Sequence, residues 1–248
     1  MNDRLRRITE ALEEADRQIV QALNARAKAI HDYNALRKES GDEPLRLPKK
    51  ATVVESAREL ASEFPAESIE PVFRELLSAC TELIAPDVVA YFGAPGDLAH
   101  AAARDYFGHA PSFRPSESVA EVLNAVQHGH ATFGVVPLET STDGAVTATL
   151  NGLLANDAKL CGERIVPLRY QLLSQSGEAA QVLKIYGSAQ AIAACERQLR
   201  ARYPDAILVD VQSGEAAAHF ALGDDQSAAL GSPLLKELHA LQLIDDRL

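Results

Sequence analysis

The spacing of apolar residues changes once along this chain, at Val88, and that change constrains the fold more than any other feature. From residue 4 to 38, Leu5, Ile8, Leu12, Ala15, Ile19, Ala22, Leu23, Ile30 and Tyr33 recur at intervals of three and four, with no glycine or proline between them. That predicts one long helix. A helix of this length needs partners along its whole run, so a homodimer built through it is expected. Ser40 to Pro48 reads as a loop, and a second helix is expected from about Lys49 to Phe64, broken by Pro65. A third, capped by Ser68 with Pro71 in its first turn, is expected to reach Ile84 or Ala85.

After Val88 short apolar runs alternate with helical spacing. Strands are expected at 88–92, 133–136, 165–173, 182–186, 207–211 and 227–230, and helices at 98–107, 118–128, 190–203, 215–222 and 234–241. Residues 111–115 read as extended. The fold class is therefore multidomain, with an all-α domain over 1–86 and an α/β domain with a largely parallel sheet over 87–248. Within the second domain the stretch 134–146 runs from a buried strand ending at Pro137, through Glu139, Thr140, Ser141 and Thr142, to a helix from Val146 to Leu154. Strand, polar turn and helix start form the usual anion crevice of open α/β sheets. The plainer reading makes Ser141 or Thr142 the helix N-cap. Glu139 and Thr140 are the candidate catalytic residues here, with Ser141 and Thr142 as substrate-binding residues.

A formal net charge of −11 argues against nucleic acid or an anionic membrane surface as partner. An anionic small molecule can bind only at a local cluster of arginine and lysine side chains. Cys80, Cys161 and Cys195 are far apart and form no ligand spacing, which fits free thiols in a reducing compartment. His128 and His130 flank Gly129 in an expected turn, too few ligands for a metal. No cofactor or metal is expected. Asp97 reads as a helix cap and His100 as a packed helix residue. No signal peptide follows Met1 and no run of about 18 apolar residues occurs, so a cytoplasmic protein is expected.

Both halves resemble one family. The three helices resemble an AroQ-type chorismate mutase, a helical dimer whose first helix spans both active sites. Tyr91-Phe92-Gly93-Ala94-Pro95-Gly96 with His100, and Gly134-Val135-Val136-Pro137-Leu138-Glu139 with Ser141-Thr142-Asp143-Gly144, resemble two signature turns of prephenate dehydratase. Ala229-Leu230-Gly231-Ser232 and Leu241 fit a later segment of it. The resemblance implies a bifunctional chorismate mutase–prephenate dehydratase, with a two-lobed second domain similar to periplasmic binding proteins. It stops short of the regulatory phenylalanine-binding domain that often follows.

Against that pattern the sequence departs at chosen points. Arg26, Arg37 and Lys50 fall on the mutase family's cations. Thr9 falls on its first arginine, unless Arg6 reaches back one turn; Leu47 falls on an aspartate, Ala51 on a glutamate and Ile84 on a glutamine. Without that glutamine, several kcal/mol of preorganised charge stabilisation, as an order of magnitude, is missing. In the second domain Thr140 stands for an asparagine, Asp97 and Leu98 for Thr-Phe or Ser-Tyr, Gly187 for a serine and Ala194 for a glutamine. The Thr-Arg-Phe motif, whose threonine helps a hydroxyl leave, would come just after Asp246 and is missing. The expectation is a protein of the shikimate branch acting on chorismate or prephenate with altered chemistry, such as prephenate decarboxylation. The alternative is a catalytically degenerate ligand-binding or regulatory dimer.

Overall fold

The computed structural model describes residues 3–40, 50–141, 144–167, 169–178 and 182–248. They fall into two compact units, Met1–Asp87 with Gly108–Pro111, and Val88–Phe107 with Ser112–Leu248.

In the first unit α1 spans Asp3–Glu39, α2 Lys50–Leu60 and α3 Ala66–Glu82. The uninterrupted spacing of α1 is enough for a continuous helix, but only Ile30 is buried along it. Leu5, Ile8, Leu12, Ile19, Val20, Leu23 and Leu36 stay exposed. The third helix starts earlier than its sequence suggests. Pro65 holds the N-cap position without a side-chain cap, and Ser68, expected as the cap, lies in the first turn, donating its N–H to Pro65. Residues 108–111 group with this unit: the backbone N–H and Nδ1 of His109 meet Glu75 at 3.0 and 2.9 Å, and the Ala110 N–H donates to Ser78 Oγ.

The second unit contains two larger sheets. In the first, β1 (Val88–Phe92) lies between β2 (Ser112–Ser116) and β3 (Phe133–Val135), all parallel. Helices α4 (Leu98–Phe107) and α5 (Val119–Gln127) belong to this lobe. Ser118 caps α5 by accepting from the Glu121 N–H, while Glu121 Oε2 accepts from the Glu117 N–H, so two orphan donors are satisfied reciprocally. The Val89, Tyr91 and Ala103 cluster forms one layer of its core; Ala90, Val122 and Ala131 form another.

The second sheet runs β10 (Gln242–Asp245), β6 (Gln171–Ser174), β9 (Ser227–Gly231), β7 (Lys184–Gly187) and β8 (Ile207–Asp210). With it are α7 (Ala189–Arg202), α8 (Gly214–Leu222) and α9 (Leu234–His239). This sheet is mixed: β6 is antiparallel to both β9 and β10. The expectation of a largely parallel sheet holds only for β7, β8 and β9 here. The last helix stops at His239, two residues short of its expected end, because Ala240 adopts φ +52°, and β10 follows it. The strand expected from Ile165 forms only from Gln171; Ile165 is 92% exposed, and a strand needs a face to bury.

Candidate functional site

Parallel strands β1 and β3 pair Tyr91 with Val135, so both run out at the same edge of their sheet. The turn Gly93–Asp97 leaves from one and the chain 136–146 from the other. That edge, beyond the carboxyl ends of the strands, is where an open α/β sheet receives a ligand.

The chain 136–146 is built differently from the sequence expectation. Glu139–Thr140 (β4) pairs antiparallel with Gly144–Ala145 (β5) in a small hairpin. Helix α6 begins only at Thr147, after the hairpin, with Val146 as N-cap and no side-chain cap. Ser141 does not cap it. The helix is fixed instead from below: Thr149 Oγ1, buried, donates to Pro137 O at 2.5 Å, and the Val146 N–H donates to Leu138 O at 2.9 Å. Glu139 and Ser141 are exposed and Thr140 is half-buried, so the hairpin presents a carboxylate and hydroxyls to solvent. Thr142 lies outside the described residues.

The Gly93–Asp97 turn is more deeply set. Gly96 has φ +83°, and a Cβ there would overlap the Leu235 side chain, so glycine is required twice over. Buried Ser232 donates its hydroxyl to Gly96 O at 2.5 Å. Asp97 precedes α4 and its carbonyl accepts the Ala101 N–H, as a cap residue's does. Its carboxylate, however, turns to accept the Ala94 N–H at 2.9 Å and the Gly214 N–H, at the start of α8, at 3.3 Å. Burial raises its pKa; the two N–H bonds oppose that rise, and the charge of Glu215 adds to it. Sequence reasoning identified Asp97 as a cap and missed this second role, because Gly214 lies 117 residues away.

Behind the turn Tyr91 and His100 stack with ring centroids 4.5 Å apart. His100 Nδ1 accepts the Gly96 N–H, so this histidine is a neutral support for the turn. Burial, then the charge of Arg104, pushes its pKa down to about 4. Burial, then Glu215 and Asp97, pushes the Tyr91 phenol up to about 12.

In the helical unit Arg26 and Arg37 lie eleven residues apart, on nearly the same face of α1 and about 16 Å apart along its axis. Two arginine side chains can close that span on a molecule with two carboxylates. Here Arg26 Nε points to buried Cys80 Sγ at 3.4 Å, and the Arg37 guanidinium lies over the Tyr33 ring, 5.9 Å from its centroid. The two are not brought together. Lys50 opens α2. Thr9, on the family's first arginine position, bonds its own helix at Leu5 O, and Arg6 faces Glu10 at 3.4 Å. Leu47 lies outside the described residues.

His128 and His130 lie in the expected turn, their rings 6.2 Å apart. Among the described residues no group of three or more His, Cys, Asp or Glu is placed to hold a metal ion, and no helix is long and apolar enough to cross a membrane.

Comparison with known proteins places both halves. Residues 8–84 match the chorismate mutase type II family and residues 89–248 match prephenate dehydratase. Over 98% of this chain, and 68% of the relative, it is 29% identical to a bifunctional chorismate mutase/prephenate dehydratase of Aquifex aeolicus. Over 99% of this chain it is 30% identical to its counterpart in Stutzerimonas stutzeri, covering 69% of that protein. The chain belongs to the bifunctional chorismate mutase/prephenate dehydratase family. The prephenate dehydratase of Arthrobacter aurescens, solved in complex with L-Phe, matches 64% of this chain with a TM-score of 0.57 and 28% identity. The match spans 55% of that solved chain. The fold is thus a helical chorismate mutase-type domain followed by a two-lobed α/β domain of periplasmic-binding-protein type.

Proposed function

We propose that this family member takes prephenate in the crevice of its α/β unit and decarboxylates it, keeping the ring hydroxyl. The observation that carries this reading is the Asp97 carboxylate held at the sheet edge by Ala94 and Gly214. Carboxylate loss is favoured where the leaving group is desolvated and not itself held by donors. Dehydration instead needs an acid at the departing hydroxyl. In the decarboxylation the C–C bond to the carboxylate breaks, its electron pair enters the ring diene, and a ring carbon takes up a proton. Carbon dioxide leaves. Glu139 is the proposed proton donor and Thr140 its partner, with Ser141 and Thr142 hydrogen-bonding the substrate. No metal or cofactor is invoked. Arg26, Arg37 and Lys50 remain the proposed anion grip of the helical unit, in a cytoplasmic homodimer formed along α1.

A second reading has support in the helical unit. Arg26 is turned to a thiol and Arg37 to its own helix, as in a domain kept for dimerisation or ligand sensing. One experiment separates the two. The purified chain is incubated with chorismate, then with prephenate, near neutral pH, and products are read by mass spectrometry. Loss of carbon dioxide with the hydroxyl retained is the expected result. Phenylpyruvate overturns the altered-chemistry reading, and thermal stabilisation without turnover selects the ligand-binding dimer.

A further inference from the structure

Two backbone N–H groups from different lobes converge on one point of the crevice. Ala94 offers its N–H from the turn after β1, and Gly214 from the first residue of α8. Two glycines let the Asp97 carboxylate approach: a Cβ on Gly93 would stand 3.1 Å from one of its oxygens, and a Cβ on Gly214 would stand 3.3 Å from the other and 3.1 Å from Leu235 Cδ1. Paired N–H donors, one at a helix N-terminus, suit a carboxylate. In this chain the pair is occupied from within. Asp97 places one oxygen on each donor, and Glu215 adds a second negative charge beside it. Tyr91, with its phenol raised, brings no compensating charge.

We propose that Asp97 is the specificity-determining residue of the crevice: it keeps ligand carboxylates off the Ala94–Gly214 donor pair, so that a hydroxyl or another donor group of the ligand meets this point. The inference rests on the proposal that the α/β unit takes an acid of the prephenate class. A carboxylate barred from these donors is also one left without their stabilisation, which is what its loss requires.

The test compares phenylpyruvate with its methyl ester, which has the same shape and lacks the charge. Affinities for the full chain and for Asp97→Asn are measured by calorimetry at pH 7. The variant keeps the shape and an acceptor for one N–H. It is expected to bind the acid at least tenfold more tightly than the native chain does and to leave ester affinity within about twofold. A second measurement covers a variant that folds poorly: in the native chain, acid affinity relative to ester affinity rises as pH falls from 7 towards the range in which Asp97 takes up a proton. Glu215 follows Gly214, while His219 in the last turn of α8 and His239, with rings 5.1 Å apart, lie towards its other end; their shared effects cancel between the two ligands only where they do not touch the carboxylate, so Glu215→Gln is run in parallel and is expected to give the smaller gain. If Asp97→Asn favours the acid over the ester by less than threefold relative to the native chain, the inference fails, including the case where neither ligand binds either protein. Failure of the proposed function is read separately, from the products formed from prephenate.

Discussion

A buried histidine that must stay neutral is a liability with a defined pH range. His100 supports the Gly93–Asp97 turn by accepting the Gly96 N–H, a role only the unprotonated ring can fill. Its folded pKa is about 4, below the usual value of 6.5. The unfolded chain therefore binds a proton that the folded chain refuses. Stability from this group is fully present above pH 6.5, is lost as pH falls towards 4, and changes no further below that. Between pH 7 and pH 5 the loss is about 2 kcal/mol. Urea unfolding of the native chain and of His100→Asn at both pH values checks this. The variant starts less stable but loses about 2 kcal/mol less over the interval; equal losses refute the role. This part of the site was half-legible. The sequence places His100 on a helix and reads it as packed, but nothing in it brings Gly214 to Asp97, since no local spacing encodes a contact between two lobes.

At the level of elements, legibility tracks how locally each element is determined. Helices α1 and α5 follow from their local spacing, and the structure adds the reciprocal cap of Ser118 with Glu121 to α5. The hairpin Glu139–Ala145 and strand β10 did not, because both depend on what they pair with. Strand β10 is held to α7 by Asp245, whose carboxylate is bonded by Arg202. Burial works against ionisation of Asp245, but the Arg202 bond and the Arg247 N–H outweigh it and its pKa is lowered. That contribution is present above the usual aspartate range and is lost as pH falls through the lowered value. Asp245→Asn should cost about 1–2 kcal/mol at pH 7, since Arg202 is partly solvated; chemical denaturation measures it, and an unchanged midpoint would mean the tie is idle. Helix α1 carries the other prediction at this scale. Among the described residues its apolar stripe stays uncovered, with Leu12 63% and Ile19 59% exposed. Leu12→Glu with Ile19→Glu should convert a dimer to a monomer in sedimentation velocity. A native chain already monomeric at micromolar concentration removes the proposed dimer.

For the whole molecule the governing quantity is charge. A chain of net charge −11 meets a dianionic ligand against a repulsive field, and only local cations or oriented N–H groups reverse it. In the helical unit the candidate cations Arg26 and Arg37 are engaged by Cys80 and Tyr33, and in the α/β unit one donor pair is taken by Asp97. The two arginines keep their charge beside these neutral partners, but two cations in a chain of net charge −11 do not reverse the long-range field before contact. Salt therefore acts in an unusual direction for an anion-binding protein. The Debye length shortens from about 30 Å at 0.01 M to about 8 Å at 0.15 M, so added salt screens repulsion from the distant acidic surface while leaving contacts at short range little affected. The association rate constant for prephenate, followed by stopped flow at constant pH, should rise at least about twofold over that interval. A rate that falls with salt would mean that a concentrated positive patch steers the ligand despite the overall charge. The cations of α1 would then be released from Cys80 and Tyr33 in solution, and the anion grip of the helical unit would be the entry point of the molecule.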